Sequence, residues 1–244
     1  WGTIILLGGF CILSILGITE SAVVAVGIFI LHLVSMIFLV LVAGTYGIQN
    51  PEIMTDNLRQ PLKYDWPLSI VFGFCIGMLS VTGYETTTNY VEEQRKGVFP
   101  RALLYTWLVS FVLNPLVSIV CMGVLDLNTL EAHHRDVLAK VAYDAGGKYF
   151  GLWISADAAL VLAGAVLTAY VGVTGLIRRL ALDHCLPQVL LAENRFRRTN
   201  HLIPLSFFAL CVLLFVLLNG HIWSLAKVYT LAFLCVMGLY AFGT

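Results

Sequence analysis

Long apolar stretches separated by short charged ones organise this chain. Residues 2–19, 21–51, 66–84, 102–125, 158–176, 202–226 and 228–244 contain no Asp, Glu, Lys or Arg. Each stretch reaches or approaches the roughly 17–25 residues that a helix needs to cross about 30 Å of hydrocarbon. The period-2 alternation that builds membrane barrels is absent, so the stretches read as helices, which satisfy their own backbone hydrogen bonds in lipid. The pattern predicts an all-α, multi-span transmembrane helical bundle. Its seven spans fall near 1–16, 21–44, 66–91, 102–124, 150–179, 203–219 and 224–244, in a single transmembrane domain over 1–244.

Local chemistry marks several boundaries. Pro100 follows a charged loop and is placed at the first position of the fourth span, where a missing N–H costs nothing. Pro187 ends a short segment after the fifth span, and Pro204 starts the sixth. Asn50-Pro51 and Gly146-Gly147 read as loops, and residues 130–144 read as one short amphipathic helix at the surface. The sequence opens at Trp1 inside one apolar run and stops at Thr244 inside another, so it is expected to be an internal piece of a longer membrane protein.

Composition sharpens the membrane reading. Only 11% of residues are charged and 59% are apolar, with a mean hydropathy of +0.90. A soluble domain carries about 25% charge to cover its surface. Net charge is zero and no basic cluster has interleaved aromatics, which argues against a nucleic-acid partner. The loops after the first, third and fifth spans hold eight of the fourteen Lys and Arg against five acids, whereas the opposite face holds six bases and eight acids. That bias places the loops at 92–101 and 178–202 in the cytosol. Cys11, Cys75, Cys121, Cys185, Cys211 and Cys235 have no CxxC spacing and read as small buried hydrophobes.

A few polar residues interrupt the spans. Glu85 follows nineteen uncharged positions, beside Ser80, Val81, Thr82, Gly83 and Tyr84. An ionisable group at membrane depth is costly unless it faces a cavity or a partner, so such residues mark transport paths and proton relays. Gly83 among hydroxyls is the composition expected where a spanning helix breaks and offers free backbone groups to a ligand. The alternative is that the span ends near Tyr84 and Glu85 is interfacial. His32 lies midway along an otherwise uncharged span, either bonded to a neighbouring helix carbonyl or titrating in a proton-coupled site. Asp157, early in the fifth span, is expected at the outer interface. Thr168, Ala169, Tyr170, Gly172, Thr174 and Gly175 give that same span a small and hydroxylic composition suited to close packing or ligand contact. The adjacent His133 and His134 point to different helix faces and read as solvated loop residues. No nucleophile–base, metal or P-loop motif supports an enzyme, and no cofactor is expected.

Three stretches resemble the amino acid–polyamine–organocation (APC) transporters. Gly83-Tyr84-Glu85-Thr86, with Glu92-Glu93 and Pro100-Arg101-Ala102, is similar to that family's sixth helix and following loop. Arg178-Arg179-Leu180-Ala181-Leu182-Asp183-His184-Cys185-Leu186-Pro187 is similar to the run after its eighth helix, and Gly17-Ile18-Thr19-Glu20-Ser21-Ala22 to the approach to its fifth. The resemblance registers the chain as helices four to ten of an amino acid permease-like, LeuT-type inverted-repeat fold. It implies that the backbone around Ser80, Val81, Thr82, Gly83 and Tyr84 meets the substrate. It also implies that Thr168 and Ala169 line the central cavity, and that Glu85 couples the inner gate to protonation. His32 falls where many members have a lysine, a departure that bears on the coupling mechanism.

These readings predict a secondary active transporter of amino acids or related amines, proton-coupled and working by alternating access. Its partners are a small-molecule substrate, protons and the lipid bilayer. An inorganic cation or chloride carrier on the same fold and a non-transporting membrane sensor or scaffold are the alternatives.

Overall fold

A computed structural model describes residues 2–17, 22–61, 64–80, 95–192 and 199–243. The described residues are all-helical, with no strand. Ten α-helices follow in order: α1 (Gly2–Ile15), α2 (Ala22–Gln49), α3 (Pro51–Arg59), α4 (Trp66–Ser80), α5 (Val98–Val124), α6 (Leu127–Ala132), α7 (Val137–Gly146), α8 (Lys148–Leu182), α9 (Leu202–Leu217) and α10 (Ile222–Gly243). Residues Val24–Gln49, Val98–Val124 and Lys148–Leu182 are long and apolar enough to cross a membrane, while α1, α9 and parts of α4 and α10 are shorter apolar helices. Many large apolar side chains on these helices face outward, among them Phe29, Ile30 and Phe38 of α2 and Leu104, Phe111 and Ile119 of α5. Exposed apolar area on this scale marks surfaces that lipid or neighbouring protein covers.

The chain forms two compact units, one of Glu20–Ala165 and one of Trp1–Thr19 with Val166–Thr244. In the first, Met36, Leu39 and Ala43 of α2 pack with Cys121 and Val124 of α5, Val141 and Ala142 of α7, and Ile154 of α8. Backbones meet closely here: a Cβ placed on Gly47 would lie 3.4 Å from the carbonyl oxygen of Gly123. Asn57 of α3 is 5% exposed and ties this unit together. Its Nδ2 donates to the carbonyls of Met122 and Leu125, both at 2.8 Å, and its Oδ1 accepts from the Leu127 N–H at 3.1 Å. One amide thus serves backbone groups that the last turn of α5 and the first turn of α6 leave without helical partners. In the second unit Tyr170 is fully buried, donates its hydroxyl to the Leu7 carbonyl at 3.1 Å and meets the Phe207 ring edge-to-face. Thr199 Oγ1 donates to the Ile15 carbonyl at 2.6 Å.

Several sequence expectations change here. The stretch after Asn50-Pro51 is the helix α3, with Pro51 in its first turn, and not a loop. α5 begins at Val98, after Gly97 with φ 84°, so Pro100 is its third residue instead of its first; Pro115 lies inside the same helix. The single amphipathic helix expected over 130–144 is two helices. Asp126 caps α6 by accepting from the Thr129 N–H at 3.3 Å, and a turn at residues 133–136 separates α6 from α7. Hydrogen bonding from Thr129 holds the Asp126 carboxyl below the usual carboxylate range. α8 starts at Lys148, directly after Gly147 with φ 85°, and runs on to Leu182, where His184 takes φ 58° and the N–H groups of His184 and Cys185 return to the carbonyls of Ala181 and Leu180. That left-handed closure ends the helix before Pro187. The cysteines are not uniformly buried. Cys11 and Cys121 are, but Cys75, Cys185 and Cys235 are exposed, and Cys75 and Cys235 lie among outward-facing apolar side chains where a thiol is as acceptable as in a core.

Candidate functional site

Two ionisable residues from uncharged stretches meet inside the first unit. His32 Nδ1 lies 2.8 Å from Asp157 Oδ2, joining the middle of α2 to α8 across 125 residues of sequence. One turn along both helices, Trp153 Nε1 donates to Ser35 Oγ at 3.0 Å. The spacings 32 to 35 and 153 to 157 put both rungs on one face of each helix. The Asp157 side chain is 2% exposed and that of His32 is 32% exposed. With the carboxylate ionised, the ring N–H donates to Oδ2; with the acid protonated, the bond reverses. An isolated aspartate at the centre of a spanning helix costs about 2.5–3.5 kcal/mol on insertion scales, which the imidazole offsets. Asp157 Oδ1 is buried without a hydrogen-bond partner.

His32 lines a cavity of about 420 Å³ between α2, α5 and α7. Phe29, Leu33 and Met36 form an apolar wall, while Ser110, Asn114 and Ser118 supply polar groups from α5. Those three recur at four-residue intervals and therefore share one face of that helix. Pro115 sits among them and cannot donate to the Phe111 carbonyl, which loosens the backbone at this level. The Ser118 hydroxyl donates to the Asn114 carbonyl at 2.9 Å.

The expected site residues fare differently. His32 is partnered by a carboxylate and not by a backbone carbonyl. Asp157, expected at the outer interface, is buried against α2. Both residues were individually conspicuous in the sequence, but nothing local paired them. Ser80 closes α4, whereas Val81, Thr82, Gly83, Tyr84 and Glu85 lie outside the described residues. Thr168 and Ala169 are exposed on α8 in the second unit. The Thr174 hydroxyl donates to the Tyr170 carbonyl at 2.7 Å within its own helix. His133 and His134 diverge, one to Asp136 at 3.3 Å and the other to the Glu131 carbonyl at 2.9 Å. Among the described residues no three His, Cys, Asp or Glu side chains gather as metal ligands.

No curated protein and no solved structure matches the chain. A family model described as "Amino acid permease" matches residues 1–244, the whole sequence. That family transports and does not catalyse a chemical conversion, and it accounts for the long apolar helices and the absence of an enzymatic motif. The chain therefore belongs to the amino acid permease family, as an integral membrane protein of amino acid transport.

Proposed function

We propose that this protein is a proton-coupled secondary carrier of amino acids or related amines that works by alternating access. The observation that carries the coupling is the part-buried His32–Asp157 contact between apolar stretches of α2 and α8, in a chain matched throughout by the permease family. A titratable pair costs stability in such surroundings and is retained where protons move. In this reading the seven apolar spans are helices four to ten of a LeuT-type fold. The backbone at Ser80, Val81, Thr82, Gly83 and Tyr84 receives the charged ends of the substrate at a broken helix. Thr168 and Ala169 contribute to the cavity wall. Glu85 and His32 are the titrating groups, and the basic loops at 92–101 and 178–202 face the cytosol.

The reading is tested with labelled amino acid in vesicles containing the protein. Excess unlabelled amino acids should compete for uptake, while replacing chloride should leave it unchanged; the reverse result identifies an inorganic-ion carrier. Glu85→Gln should flatten the pH dependence of uptake with surface expression maintained. Unchanged uptake and unchanged pH response remove Glu85 from the mechanism.

A further inference from the structure

We propose that His32 and Asp157 act as one proton-carrying unit in which the imidazole relays the proton and Asp157 holds it. This rests on the proton-coupled reading above and adds Asp157 to it. The geometry is directional. His32 lines the α2/α5/α7 cavity, whereas the Asp157 side chain, 2% exposed, lies behind it. Ser110, Asn114 and Ser118 make one wall of the cavity polar, and a volume of about 420 Å³ exceeds many times the roughly 30 Å³ share of one water. A proton taken up at Nε2 from the cavity releases the Nδ1 proton to the carboxylate. An N–H bond forms at one nitrogen and breaks at the other, and an O–H bond forms on Asp157, so the relay returns the ring to neutrality with its tautomer exchanged. The proton arrives on Oδ2, whose O–H then donates to the bare Nδ1 across the same 2.8 Å contact, while the buried Oδ1 makes no hydrogen bond.

No other charge faces the pair from the described residues packed around it. α2 has no Asp, Glu, Lys or Arg and His32 is its one histidine, and α5 contributes only Ser110, Asn114 and Ser118 to the polar wall. From α7, Leu138 reaches the cavity, while Lys140 is paired with Asp144 at 2.7 Å. α8 contributes Asp157, with Trp153 engaged on Ser35. The proton state of this one contact therefore changes the charge between α2 and α8, and with it the force holding those helices together.

The test uses the whole protein in proteoliposomes, with substrate counterflow and substrate-driven proton uptake measured side by side. Asp157→Asn keeps an acceptor for the imidazole N–H but cannot store a proton. It should retain counterflow while losing the about tenfold accumulation that a one-unit pH gradient supports at one proton per substrate. His32→Ala should slow proton uptake, and added imidazole should restore it by entering the vacated cavity wall, a rescue that a purely structural histidine would not show. If the wild-type protein moves substrate without protons, the coupled reading itself fails. If the wild type is coupled and Asp157→Asn keeps the same proton-to-substrate ratio, or imidazole restores nothing to His32→Ala, the pair is not the carrier. Should Asp157→Asn fail to reach the membrane, Asp157→Glu replaces it. Retained coupling there, together with imidazole rescue of His32→Ala, supports the proposal, and lost coupling overturns it.

Discussion

Asn57→Leu is expected to lower the melting temperature of the purified protein by roughly ten degrees, because three hydrogen bonds to backbone disappear at one buried position. Leucine has the branching of asparagine but is larger, and it can neither donate nor accept. The carbonyls of Met122 and Leu125 and the N–H of Leu127 would all lose their side-chain partner. A buried polar group left without a partner costs about 1–3 kcal/mol, so even with water replacing one contact the loss is about 2–6 kcal/mol. Asn57→Asp should be no better tolerated, since it keeps the acceptor for Leu127 but sets a carboxylate oxygen against two carbonyls. A thermal shift of only about a degree for both variants would show that α3, α5 and α6 do not depend on this amide.

A graded series at Gly47 should show the second large effect. Its ideal Cβ would sit 3.4 Å from the Gly123 carbonyl oxygen and 3.6 Å from the carbonyl carbon, ordinary van der Waals contact. Gly47→Ala therefore fits with little change. Gly47→Leu must either turn its outer carbons into the cavity of about 400 Å³ that Gly47 and Gly123 line or push α2 from α5, and overpacking of the second kind costs about 1–3 kcal/mol. The damage extends beyond the glycine, because Leu39 and Ala43 on α2 would lose register with Cys121 and Val124 on α5. The Gly and Ala proteins should melt close together, with Val and then Leu lower. A flat series would mean that the helices separate here without cost.

The apolar windows made most of the long helices legible, because a helix in lipid must be long, uncharged and self-satisfied. Their ends were less legible. α2 continues to Gln49 through Gly44, Thr45 and Gly47, residues that lower hydropathy without breaking a helix. α3 was readable in principle: Pro51 in the first turn, Glu52 beside it and Arg59 in the last turn are helix signals that the Asn50-Pro51 loop reading overrode. The division between α6 and α7 depends on the Asp126 cap and the 133–136 turn, a balance too fine for an amphipathic pattern over 130–144.

The candidate site was half visible. His32 and Asp157 each stood out as ionisable groups in apolar runs, yet their pairing is a tertiary fact that no local spacing contains. One physical hint was available: two unpaired groups of opposite potential charge in one bundle each need a partner. The cavity wall was hidden for a related reason. Ser110, Asn114 and Ser118 look like scattered polar residues of a spanning helix until α2 brings His32 opposite them.

Accumulation of labelled amino acid against a concentration gradient tests proton-coupled carriage most directly. Proteoliposomes containing the protein, with the membrane potential clamped at zero, would be placed in medium one pH unit more acidic than the lumen. With one proton per substrate, internal amino acid should rise to about ten times the external level and collapse on adding a protonophore. Uptake that reaches only the external concentration, with and without the pH gradient, would contradict the account.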